Sequence, residues 1–160
     1  MRFVSVLVLC AALLIVGQAQ ASASGFAWPL RPRPLVLTSF DPPARDWLPG
    51  HRGVDLGGAV GQPVLAAGDG IVAFAGVVAG KPVVSIDHPG GLRTTYEPVE
   101  AQVHTGARVV VGARIGTLVT GHADCAGTCL HWGVRRGRDE YLDPLALVRA
   151  TPVRLKPLRG

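Results

Sequence analysis

An all-β domain, a compact antiparallel β-sandwich or barrel, is the fold this chain predicts, and three observations predict it. Its runs of Val, Ile, Leu and Ala are only four to eight residues long, and turns rich in glycine and proline separate them. Just one segment, residues 143–150, carries a helical pattern. Short apolar runs with turn chemistry between them make hairpins, and hairpins bury one face only by closing into a sandwich or barrel.

The elements follow in order. Residues 24–49 hold Pro29, Pro32, Pro34, Pro42, Pro43 and Pro49 around one apolar run at 35–40, which predicts an extended lead-in with a single strand. Strands are expected at 63–67 and 71–78 around Gly68-Asp69-Gly70, at 83–87 after Ala79-Gly80, and at 92–96 after Pro89-Gly90-Gly91. Residues 108–111 and 114–119 flank Gly112-Ala113, and 130–135 form a last strand. Asp143 suits the cap of a short C-terminal helix with Pro144 in its first turn. One domain over 50–150 results, with a tail at 151–160.

Residues 1–23 read as a secretory signal peptide. Arg2 precedes an apolar run at 3–16, and two small-residue cleavage patterns follow, Ala19-Gln20-Ala21 and Ala21-Ser22-Ala23. A bilayer span takes about 20 apolar residues, so this run is too short for one. The expectation is a secreted, wall-associated protein with no stable membrane anchor once the signal is removed. Cys10 lies inside the run behind Leu9, where a lipidation site would want a small residue. The signal contains one of the sixteen basic side chains and none of the eleven acidic ones, so the net charge of +5 falls only to +4. Such a charge suits an anionic envelope polymer. No basic helix or aromatic-basic interleaving accompanies it, which excludes nucleic acid as a partner.

Cys125 and Cys129 remain in the exported chain. In an oxidising compartment a pair so close in sequence forms a disulfide. The competing reading makes Cys129 a thiolate ligand to a metal.

A metal is expected because His51, Asp55 and His131 stand in the stretches His51-Arg52-Gly53-Val54-Asp55 and Cys129-Leu130-His131-Trp132-Gly133. Taken singly, each is also an ordinary surface or turn residue. Taken together, two imidazoles and a carboxylate are a ligand set for catalytic Zn2+, since three protein ligands leave one tetrahedral corner open. In extended segments His51 and Asp55 share a face, as do Cys129 and His131. Trp132 alternates with His131 and belongs in the core, while the loop bearing Trp47 could line a groove. His88 and His104 read as surface residues.

On these residues the chain resembles the lysostaphin-type, LytM-like zinc metallopeptidases, which cut the peptide part of bacterial peptidoglycan. The resemblance runs through Trp28-Pro29-Leu30, the His51 to Asp55 motif, residues 63–72, Gly112-Ala113-Arg114-Ile115-Gly116, the Cys129 to Arg135 strand and Tyr141-Leu142-Asp143-Pro144-Leu145. It implies the family's duplicated hybrid β-architecture, one zinc per chain held by His51, Asp55 and His131, and peptidoglycan as partner. It also exposes two departures: Pro98 and Cys129 stand where the family carries catalytic histidines. Glu97 and His122 are the candidate catalytic stand-ins, set against their readings as a solvated strand end and an exposed loop residue. A zinc-retaining but non-catalytic module, which binds the wall or regulates another hydrolase, is the alternative function, and an envelope activator would be a further partner.

Overall fold

The computed structural model describes residues 25–149 apart from 46, 123, 124 and 126. The expected signal at 1–23, Cys10 and the tail at 151–160 lie outside the described residues. No helix among the described residues is long and apolar enough to cross a membrane.

Among the described residues, eleven strands and one helical turn follow in order: β1 Val36–Thr38, β2 Gly53–Gly57, β3 Pro63–Leu65, β4 Gly70–Val78, β5 Lys81–Asp87, β6 Leu92–Glu97, β7 Val99–Ala101, β8 Arg108–Val109, β9 Arg114–Leu118, β10 Cys129–Arg136, β11 Glu140–Leu142 and α1 Leu145–Val148. An eight-stranded antiparallel sheet has the order β1-β2-β10-β6-β5-β4-β8, with β11 pairing β10, and a second sheet has the order β3-β9-β7. The all-β expectation holds.

Strand β10 organises the molecule because its side chains alternate between two environments. Leu130, Trp132 and Val134 are buried in the core. Trp132 lies opposite Val54 of β2 on one side and Tyr96 of β6 on the other, and all three are fully buried. The smaller sheet adds Val64, Ile115, Leu118 and Val99 to the same apolar cluster. Full burial contributes about 1.5–3 kcal/mol for each large aliphatic or aromatic side chain, so this layer holds the register of β10.

Several elements differ from expectation. The residues before β1 are part of the core: Leu30 is fully buried, and the Ala27 and Leu65 amides donate to the carbonyls of Ala67 and Pro29. Strands β2, β7 and β11 were not predicted. They are short, and β2 reads Gly-Val-Asp-Leu-Gly, with a carboxylate at its centre. The helix shrinks to Leu145–Val148 behind Pro144, although the Asp143 carboxylate accepts from the Leu145 amide at 2.9 Å.

His88 is a correction. Expected at the surface, it is buried, because both ring nitrogens have partners and a hydrogen-bonded polar ring can be buried at little cost. Its Nδ1 donates to the Asp69 carbonyl at 2.8 Å, its Nε2 lies 2.7 Å from Thr94 Oγ1, and that hydroxyl lies 2.8 Å from the Tyr96 phenol oxygen. Phe26 packs edge-on at 5.0 Å. His104 is exposed, as expected.

Burial pushes the His88 pKa below its ordinary 6.5, against the opposing effect of the Asp69 carbonyl. The unfolded chain therefore binds the proton more readily than the folded one, and the stabilisation present above pH 6.5 is lost as pH falls below that value. Denaturant midpoints should fall between pH 7 and pH 5 in the wild type, and fall less in His88→Gln.

Candidate metal centre

The face of β10 opposite the core carries Cys129, His131, Gly133 and Arg135. In the cross-strand register, His131 faces Asp55 of β2 and Glu97 of β6. Two strand pairings thus place an acid on each side of one imidazole. His51 joins them from just before β2, where its backbone exchanges two hydrogen bonds with Asp41, at 2.7 and 3.0 Å.

The donor atoms converge. His51 Nε2 lies 3.0 Å from Asp55 Oδ1 and 3.1 Å from His131 Nδ1, and His131 Nδ1 lies 3.0 Å from the same carboxylate oxygen. His51 Nδ1 donates to the Ser39 carbonyl at 2.7 Å, which leaves Nε2 with its lone pair pointing inward. Asp55 is fully buried, and its Oδ2 has no hydrogen-bond partner. Burial pushes its pKa up, but the hydrogen bond from His131 and the electrostatic pull of His51 outweigh this and bring it down to about 2. A dry, ionised carboxylate beneath two converging imidazoles fits a divalent cation, and nitrogen and oxygen ligands of this kind suit zinc. His51 Nε2, Asp55 Oδ1 and His131 Nδ1 are the atoms that would hold it.

Glycine makes room for this arrangement. A Cβ on Gly53 would lie 2.6 Å from both His131 Nε2 and the Trp132 carbonyl oxygen. The imidazole therefore occupies the space a side chain at 53 would need.

The two candidate stand-ins also reach the site. His122 Nε2 lies 3.2 Å from Asp55 Oδ1, and its Nδ1 lies 3.6 Å from Glu97 Oε1. Glu97 Oε1 is also 2.8 Å from Lys81 Nζ. The ligand atoms of His51, Asp55, His122 and His131 all lie within 4.8 Å of one another. The loop bearing His122 is tethered by a disulfide from Cys125 to Cys129, with 6.2 Å between their Cα atoms. That bond removes the thiolate ligand considered for Cys129. Trp132 sits in the core as expected, whereas Trp47 is 75% exposed, with the Arg45 guanidinium 5.5 Å from its ring centre. Sequence reasoning missed Lys81, since only the pairing of β5 with β6 carries it to the site.

Residues 49–144 match peptidase family M23. An uncharacterized protein of Mycobacterium tuberculosis is 55% identical over 158 residues; the match covers 96% of this chain and 64% of that protein, so the chain spans less than two thirds of its relative. Among solved structures, Helicobacter pylori Csd3 is similar at 28% identity and a TM-score of 0.65, with 83% of this chain and 37% of that one covered. A zinc-containing peptidase of Vibrio cholerae matches at 25% identity and a TM-score of 0.58, with coverages of 69% and 36%. A chain of the SpoIIQ–SpoIIIAH pore-forming complex shares the fold at 22% identity and a TM-score of 0.65, with coverages of 79% and 92%. The fold therefore also occurs in a protein–protein assembly.

Gly53→Ala should weaken metal binding about 10- to 100-fold by displacing His131, the range seen when the groups that orient a ligand are lost. Gly57→Ala, whose added Cβ would come no closer than 3.7 Å to a neighbour, is the control in the same strand. Competition titration against a chromogenic chelator measures both, and equal affinities would refute the packing argument.

Proposed function

This chain belongs to peptidase family M23, and from that premise we propose that it is an exported zinc metallo-endopeptidase that hydrolyses peptide bonds of bacterial peptidoglycan. The observation that carries the reading is the convergence of His51 Nε2, Asp55 Oδ1 and His131 Nδ1 around one point, with the His51 ring oriented through Nδ1 and Asp55 kept ionised. The zinc-containing V. cholerae relative supports the choice of metal. Bound zinc supplies Lewis acidity at a scissile carbonyl and lowers the pKa of water.

The remaining steps fall to the chain's own side chains. His122 moves the proton: its Nε2 takes one from the attacking water and returns it to the leaving amine. Glu97, whose Oε1 lies 3.6 Å from His122 Nδ1, stabilises the imidazolium by charge while Lys81 pairs with the carboxylate at 2.8 Å. This pair takes over the roles missing at Pro98 and Cys129. Residues 1–23 and the disulfide support export, and the positive charge suits an anionic wall.

One observation favours the second reading, a non-catalytic module that binds the wall or regulates another hydrolase. His122 Nε2 lies close enough to the other three ligand atoms to close a four-ligand site. A closed site leaves no corner for chemistry.

The test incubates purified protein with isolated peptidoglycan, with and without a zinc chelator, beside His131→Ala and His122→Ala. Chelator-sensitive release of new amino groups, lost in His131→Ala, is expected. His122→Ala should lower the rate about 10²- to 10⁴-fold while keeping zinc affinity, as for loss of an acid-base group. If His122→Ala loses zinc instead, and no wall preparation is cleaved, the non-catalytic reading stands.

A further inference from the structure

We propose that the cleft running from the metal centre along β10 is a subsite for a peptide carboxylate, read by the Arg135 guanidinium group. The inference rests on the hydrolytic reading above and names the substrate class for it.

The cleft arises from three cross-strand rows on the face of the large sheet opposite the core. The first is Asp55, His131 and Glu97, at the metal. The second, two residues along each strand, is Gly133, Thr95 and Ser85, where the side chains are absent or small, while the His131 ring fills the row at its Gly53 end. The third is Arg135, Arg93 and Asp87, with Tyr141 of β11 paired to Arg135. A low row between two tall ones is a trough, and its volume is about 340 Å³. Its floor is open by composition: a Cβ on Gly133 would meet nothing closer than 3.5 Å.

The far end carries excess positive charge. Asp87 is the one carboxylate in its row, and Arg93 already clamps it through two hydrogen bonds, at 2.5 and 2.8 Å. That clamp holds the Asp87 carboxyl below its ordinary range. Arg135 commits Nη1 to the Arg138 carbonyl at 2.8 Å, one of the five N–H donors a guanidinium has. On the cleft wall, the Arg52 guanidinium lies 5.5 Å from the Tyr141 ring centre, a cation–π contact. The Arg135 guanidinium, in a row where two arginines face one carboxylate, suits a ligand carboxylate, which it binds through paired hydrogen bonds.

The spacing limits which carboxylate fits. His131 and Arg135 are four residues apart on one strand, about 13 Å at the usual rise, and the arginine side chain shortens that span. The ligand is an extended peptide whose free carboxylate, on a side chain or at its C-terminus, lies about two to four residues from the scissile bond.

The test measures binding of synthetic wall-type peptides to the zinc-loaded protein by calorimetry at low salt, with peptide integrity checked by mass afterwards. One pair differs by carboxylate or carboxamide on an acidic side chain, and another differs in the same way at the C-terminus. In at least one pair the free acid should bind at least tenfold more tightly. Arg135→Gln should abolish that preference while leaving amide binding unchanged. Gly133→Val, which fills the floor, should weaken the binding of both members. Equal binding of acid and amide, no binding of either, or a preference that survives Arg135→Gln would overturn the proposal. Peptidoglycan cleavage without carboxylate preference would refute the subsite alone. A carboxylate preference without any cleavage would refute the hydrolytic reading alone.

Discussion

The register of β10 between β2 and β6 is the constraint on which both the core and the site depend. One pairing sets Trp132 between Val54 and Tyr96 on the buried face and His131 between Asp55 and Glu97 on the other. Strand side chains repeat with period two, so a slip of one residue would carry the indole to the outer face and the imidazole into the apolar layer. The site is thus positioned largely by packing it takes no part in. Tyr96 shows how tightly that layer is closed: burial raises its phenol pKa to about 12, and its hydroxyl accepts from the Ala67 amide at 2.9 Å.

The polar face is costly by comparison. Asp55 is a buried carboxylate with one oxygen unpartnered, and a buried charge is tolerated only when opposing charge or hydrogen bonds offset its desolvation. His51 and His131 do this in part, and a divalent cation would do it more fully. The imidazoles remain about one-fifth exposed, whereas the carboxylate side chain is 1% exposed. A cation entering from solvent meets the histidines first and reaches the acid last, which places the strongest electrostatic attraction at the closed end of the site.

Legibility from the sequence follows the range of each interaction. Hairpins such as β4 and β5 are read easily, because apolar runs and a Gly-bearing turn lie within one window. The convergence of His51, Asp55 and His131 is legible for another reason: residue type limits what can bind a divalent cation, and each of the three sits in a distinctive local string. His88 is misread because its partners Asp69 and Thr94 are contributed by other segments, and nothing beside Pro89-Gly90-Gly91 announces them. The three strand rows that build the cleft are hidden for the same reason. Gly133 and Thr95 look unremarkable in sequence, and only the antiparallel register sets them side by side as a floor.

The departure at Cys129 follows the same geometry. It precedes His131 by two residues and so shares its face. Its side chain leaves the strand where the resemblance calls for a histidine, and there it bonds to Cys125. Cys125 follows His122 by three residues, so the disulfide restrains the loop that carries an imidazole back over Asp55 and Glu97. Position 129 supplies no ring from the strand but does supply a tether for a ring on a loop. His122 thereby stands beside His51, Asp55 and His131 in space, and this is why the cluster holds a third histidine although Pro98 and Cys129 supply none.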